Sequence, residues 1–116
     1  MKVIIAGSRT ITDPLELEAA IKDSGFQITE VISGGAQGID SLGAAWAQLN
    51  NIPCGFFLPD WEKHGKAAGP IRNSLMAAEA EALILVWDGV SRGSQDMLNK
   101  ATSKGLKVHT RVVQKK

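Results

Sequence analysis

Five short apolar-rich runs recur along the chain, at Lys2 to Ala6, Glu30 to Ser33, Pro53 to Leu58, Ala82 to Trp87 and Leu106 to Val113. Four of them are near-continuous rather than alternating, and strands of that kind must be covered on both faces, as in a parallel sheet held between helices. Helical patterns fill the intervals. A first helix opens at Thr12-Asp13-Pro14, carries Leu17, Ala20, Ile21 and Ser24 on one face and ends at Gly25. A second, from about Gly38 to Asn50, spaces Leu42, Ala45, Trp46 and Leu49 helically. A third starts at Gly69-Pro70 and is expected to turn Ile71, Leu75 and Ala78 inward; a fourth starts near Ser94 with Met97, Leu98 and Ala101 inward and closes at Lys104-Gly105. The expected fold is α/β: a three-layer sandwich with a five-stranded, mainly parallel sheet, about four helices and right-handed crossovers.

With 116 residues, 44% of them apolar, the chain is expected to form one domain over residues 1–113 with a basic tail at 114–116. No apolar run approaches the ~20 residues of a membrane span, and the start is too short for a signal peptide. The lone Cys54 allows neither an internal disulfide nor a multi-thiolate metal site, so a cytoplasmic location and no membrane partner are expected. The formal charge of +1 conceals an asymmetry. Residues 1–60 carry three basic and seven acidic side chains, and residues 61–116 carry ten and five. A nucleic-acid partner would normally leave a more basic footprint and is not expected.

In such a sheet every strand-to-helix loop emerges at the carboxyl edge of the strands. Eight of the twelve glycines (Gly7, Gly34, Gly35, Gly38, Gly65, Gly69, Gly89 and Gly93) fall in those loops, with Arg9, Lys63, Lys66, Arg92 and nearby Arg72, whereas only Gly25 and Gly105 fall in the return loops. Open α/β sheets bind ligands at that edge, and glycine with arginine suggests an anion. Ser33-Gly34-Gly35-Ala36-Gln37-Gly38-Ile39-Asp40 reads as a loop whose amides approach a phosphate at a helix amino end, or as a tight turn that needs positive φ. It carries neither the dinucleotide glycine pattern nor the Lys-Ser/Thr of a P-loop. Asp40 either complements the helix dipole or bonds a ribose hydroxyl or the loop backbone.

Arg72, read as lying in a first helical turn, would cost ~0.3–1 kcal/mol against the dipole unless an anion sits beside it; an exposed guanidinium or a bridge to Asp88 is the alternative. Asn73 beside it can both donate and accept. Trp87-Asp88-Gly89-Val90-Ser91-Arg92-Gly93-Ser94 is a second polar loop, in which Ser91, Gly93 and Ser94 offer donors to a phosphate or Ser94 caps the helix. Gly7-Ser8-Arg9 follows the first strand, expected at the centre of the sheet. The segment from Pro59 to Pro70 is longer than usual for such a loop, and its Asp60 and Trp61 are candidates for ligand contact, Trp61 either stacking a base or plugging the sheet. Nucleophile elbows and metal-ligand motifs are absent, so no metal is expected; Cys54 reads as a packed hydrophobe and His109 as a strand residue, while His64 is a possible loop acid or base.

The motifs Gly7-Ser8-Arg9, Ser33-Gly34-Gly35-Ala36-x-Gly38-x-Asp40, Asp60-Trp61, Gly65-Lys66-x-Ala68-Gly69-Pro70-x-Arg72-Asn73-x-x-Met76 and Trp87-Asp88-Gly89-x-Ser91-x-Gly93 together resemble the YspA-like branch of the SLOG superfamily across about the whole chain. The resemblance implies a Rossmann-like fold that binds a nucleotide or nucleotide-derived ligand, ADP-ribose-like or cyclic, in bacteria and their phages. It implies no certain cofactor beyond that ligand, and relatives suggest a homodimer or higher oligomer. The LOG phosphoribohydrolases have a similar arginine before a methionine, matched by Arg72 and Met76, but Met97 stands where their loop's catalytic glutamate falls. Arg72, Asp88 and Asp96 are the remaining catalytic candidates for cleavage of an N-glycosidic bond. The loop from Ser33 to Asp40 also resembles that of the single-strand-binding protein DprA. The leading expectation is binding or sensing of a phosphate-bearing nucleotide derivative at the carboxyl edge of the sheet.

Overall fold

The computed structural model describes residues 1–114. Its five strands, β1 (Lys2–Gly7), β2 (Glu30–Ser33), β3 (Cys54–Phe56), β4 (Ala82–Trp87) and β5 (Lys107–Val112), form one sheet in the order β3-β2-β1-β4-β5, with every pair parallel. Helices α1 (Pro14–Ser24), α2 (Ile39–Leu49), α4 (Ala68–Glu79) and α5 (Arg92–Ser103) join them, with a single turn of helix, α3 (Trp61–His64), ahead of α4. The α/β class and the three layers are as expected. Because side chains alternate across a strand, Val3 and Ile5 of β1 and Ile84 and Val86 of β4 pack with Leu17 and Ala20 of α1 and Ile39 and Ala47 of α2. The intervening Ile4, Leu83 and Leu85 pack on the other face with Met76 and Ala77 of α4 and Met97 and Ala101 of α5. Each large side chain buried there contributes roughly 1.5–3 kcal/mol. Among the described residues, no helix is long and apolar enough to cross a membrane.

Several elements differ from expectation in register. In α2 the inward positions are Ile39, Gly43 and Ala47, while Ala45 and Leu49 face solvent. A Cβ on Gly43 would stand 2.6 Å from Ile5 Cγ2, so this helix lies close on β1 at Gly43, while the expected Leu42 and Trp46 pack partly buried against the same core. In α4 the stripe Ile71, Leu75 and Ala78 points outward, and Ala68, Asn73, Met76 and Ala77 point in. The polar Asn73 occupies an inward position, which an apolar periodicity cannot register. Ser91, not Ser94, occupies the cap position of α5, so Ser94 lies buried within the first turn. The Pro59–Pro70 segment is not an open loop: Asp60 caps α3 by accepting from the Lys63 N–H (3.1 Å), and a 3-10 turn at Gly65–Ala67 runs directly into α4. Cys54 is half-buried against the α1/α2 core. Of the expected basic tail, Gln114 is exposed and Lys115 and Lys116 lie outside the described residues.

Candidate functional site

The chain steps from β1 to β2 and β3 on one side and returns to β4 and β5 on the other, so the strand order reverses between β1 and β4. Loops leaving the carboxyl ends of these two strands diverge there and open a crevice. The crevice is a cleft of about 310 Å³. Its floor is the end of the central strand pair, where the Ser8 N–H donates to Val86 O (3.1 Å) and the Asp88 N–H donates to Ser8 Oγ (3.0 Å). Gly7 at the end of β1, Ser8 and Arg9 from the first loop, Ala36 from the second, Asp40 from the first turn of α2, and Arg72 and Asn73 from α4 line it. Asp88, Ser91, Gly93 and Ser94 complete it from the fourth loop and α5. Eleven of the expected site residues therefore meet in one place.

Arg72 lies in the second turn of α4, because that helix begins at Ala68, so the argument from a first-turn dipole does not apply to it. Its Nη1 donates to Gly34 O (2.7 Å) and its Nε to Asn73 Oδ1 (3.0 Å). Asn73 Nδ2 in turn donates to Asp96 Oδ2 (2.9 Å), which Lys100 also holds (2.7 Å). The guanidinium is thus anchored from both sides. A Cβ on Gly34 would lie 2.5 Å from Arg72 Nη1, so glycine is required there for the arginine to reach the loop carbonyl.

Asp40 is buried and its Oδ2 accepts from the Ala36 N–H (3.2 Å), so it bonds the loop backbone. Burial pushes its carboxyl up to about 6, a shift restrained by the Ala36 N–H, the Arg72 charge, the Gly7 N–H and Arg9. Burial also lowers Arg72, against the opposing pull of Asp40. An unfolded aspartate releases its proton near 3.8 and the folded one near 6, so the folded state binds more protons in between and this group's stabilisation falls as pH rises from about 4 to about 6. Asp40→Asn keeps an oxygen acceptor for Ala36 but cannot ionise. Urea unfolding at successive pH values is expected to show a decline through that window in the wild type and a flatter profile in the variant; equal slopes would contradict the assignment.

The fourth loop is organised by Asp88, whose Oδ1 accepts from the Val90 N–H (2.9 Å), the Ser91 N–H (2.8 Å) and the Ser91 hydroxyl (2.7 Å). These donors hold its carboxyl down to about 2. With the Ser91 proton given to Asp88, the Ser8 hydroxyl is the donor in its 2.9 Å bond to Ser91 Oγ. Ser91 makes no side-chain cap bond to α5, and the first N–H groups of a helix have no acceptor within it; Gly93 and Ser94 of that uncapped first turn line the cleft.

Other expected residues lie elsewhere. Gly34, Gly35 and Trp61 line a neighbouring hollow. Ser33 is buried, its hydroxyl donating to Asp40 O (3.1 Å) and accepting from the Gly35 N–H (3.1 Å). Gly38, at φ +73°, brings α2 against the Ser8 carbonyl. Asp60 serves as the α3 cap, Gly89 occupies an exposed turn, and Asp96 lines neither cavity. The two amides at Gly35 and Ala36 are engaged by Ser33 and Asp40. Thr10, Met76 and Met97 also line the cleft. Their sequence signals are those of a loop and a core, and nothing in their spacing marks them. Among the described residues no group of three or more His, Cys, Asp or Glu side chains could hold a metal ion.

The Gene 61 protein of Mycobacterium phage D29 is 31% identical to this chain over 117 residues, covering 92% of this chain and 93% of that protein. Residues 1–64, which supply β1, the first two loops and α2, match the model of the YAcAr family. The chain therefore belongs to the YspA, cpYpsA-related SLOG family.

Proposed function

We propose that the cleft binds a phosphate-bearing nucleotide derivative, with its phosphate between Arg9, Arg72 and the first turn of α5. The observation that carries this reading is the convergence of two arginines and an uncapped helix amino end on one crevice at the strand-order reversal. The Ser94 hydroxyl and the remaining lone pairs of the Ser8 and Ser91 oxygens offer partners for a ribose. Family membership supports a nucleotide-related ligand. Thermal melts with AMP, ADP-ribose and inorganic pyrophosphate test it: a ligand at 100 times its Kd adds about 2.7 kcal/mol and raises the melting temperature by several degrees. Absence of a shift with all three at millimolar concentration would rule the reading out.

Gly93 supplies a sharper check. A Cβ there would meet nothing within 4 Å, and its φ is not positive, so the protein's own packing does not call for glycine. Glycine within a helix costs about 0.5–1 kcal/mol relative to alanine, and close approach of a ligand accounts for accepting that cost. Gly93→Ala is expected to keep or slightly raise the urea midpoint while weakening pyrophosphate binding about tenfold, because the added methyl group holds the anion off the neighbouring N–H groups, an effect comparable to one lost charge-assisted hydrogen bond. Unchanged affinity would remove α5 from the site.

Cleavage of an N-glycosidic bond is the second reading. It is favoured by two carboxyls in one cleft whose surroundings push them apart, Asp40 up to about 6 and Asp88 down to about 2. That division suits a proton donor paired with an anion that stabilises positive charge on a sugar. Asp96, held by Lys100 and Asn73, is less suited. Release of free base from AMP, followed chromatographically, separates cleavage from binding alone.

A further inference from the structure

The cleft shares a wall with the neighbouring hollow of about 380 Å³, and Arg9, Ala36 and Arg72 belong to both. Beyond that wall the hollow is lined by Leu58, Pro59 and Trp61 together with Gly34, Gly35 and Gln37. Trp61 is 53% exposed and belongs to neither core cluster, whereas Trp46 and Trp87 both pack into one. The indole therefore does not plug the sheet. It opens α3, whose backbone turn the Asp60 cap holds, and a Cβ on Gly69 at the start of α4 would stand 3.8 Å from its ring. An exposed indole that lines one hollow with Arg9 and Arg72 offers a face on which a base can stack.

The first cleft combines the polar side chains of Ser8, Asn73, Asp88 and Ser91 with Met76 and Met97. Each cavity alone sits near the lower end of the ~300–1,000 Å³ range of small-molecule sites. A ligand confined to one would leave the other without a role. Resting on the phosphate reading above, we infer that both cavities serve one two-ended ligand: its base stacks on Trp61, its phosphates cross the wall between Arg9 and Arg72, and its far end enters the first cleft. The ligand class is a nucleoside diphosphate, free or esterified to a sugar, in preference to a nucleoside monophosphate.

Titration calorimetry and tryptophan fluorescence on the full chain with ADP, AMP and inorganic pyrophosphate test this. ADP is expected to quench the indole emission and to bind at least about tenfold more tightly than AMP, whose single phosphate cannot reach across. Trp61→Ala is expected to weaken ADP about tenfold and leave pyrophosphate within twofold; Trp61→Phe, which preserves a ring, retains most of the ADP affinity. Since Trp61 lies outside both cores, these variants should fold, and a matched urea midpoint verifies that. If pyrophosphate binds but ADP gains nothing from Trp61, the two-ended ligand is wrong and the phosphate site stands. Quenching that follows protein concentration instead of ADP would assign the indole to contact between copies and also overturn it. If neither pyrophosphate nor ADP binds, the underlying phosphate reading fails first.

Discussion

Arg72→Ala is expected to weaken binding of pyrophosphate and of nucleoside phosphates by at least about 30-fold, since truncating one member of a desolvated charge pair typically costs 2 kcal/mol or more. The loss has two parts. The positive charge facing the anion disappears, and Gly34 O, which the guanidinium holds at 2.7 Å, is released, so the loop carrying Ala36 and Asp40 loses its tether to α4. Asp40 also loses the charge that restrains its carboxyl, which should then rise further above its ordinary value. Arg72→Lys separates these parts, because an ammonium keeps the charge but cannot reproduce the forked donation to Gly34 and Asn73. Intermediate binding is expected from it. Should the alanine variant fold and show the wild-type shift in melting temperature, the site is misplaced.

Gly7→Ala is expected to have the largest effect on stability. A Cβ at that position would stand 1.8 Å from Val86 O and 3.0 Å from Ile39 Cβ, between paired backbone on one side and α2 on the other. Neither neighbour is the free end of a flexible chain. The β1–β4 ladder, in which Gly7 is opposite Val86, must open to admit the methyl group. A loss of about 4 kcal/mol or more follows, against a total near 5–15 kcal/mol for a domain of this size. Urea midpoints or soluble yield would measure it, and a variant within 1 kcal/mol of wild type would contradict the contact.

The layered fold was legible because it rests on the least ambiguous signal in the chain, the runs Val3-Ile4-Ile5 and Leu83-Ile84-Leu85-Val86, which cannot face water on either side. Helix faces were less legible. In α4, Ile71 and Leu75 are larger and more apolar than Ala68 and Ala77, yet they point outward, since the helix begins at Ala68 and Asn73 takes an inward place toward Asp96. In α2, closeness to Ile5 selects Gly43 over Leu49. The site was visible as a set of residue types at one sheet edge, because parallel topology sends all those loops the same way. What each residue does there was not visible. Arg72 reaches Gly34 across 38 positions of sequence, and Asp40 owes its raised carboxyl to burial, a property of the assembled loops.

The carboxylate of Asp40 within electrostatic reach of Arg72 and Arg9 has a bearing on selectivity. It cancels part of the attraction that the guanidiniums would otherwise exert on any passing chloride or monovalent acid. On the proposed reading a guest must carry enough negative charge to overcome repulsion from that resident anion, which favours a polyvalent molecule over a simple salt ion. Protonating Asp40 lifts the repulsion, so mildly acidic conditions should make the pocket more permissive as well as more retentive.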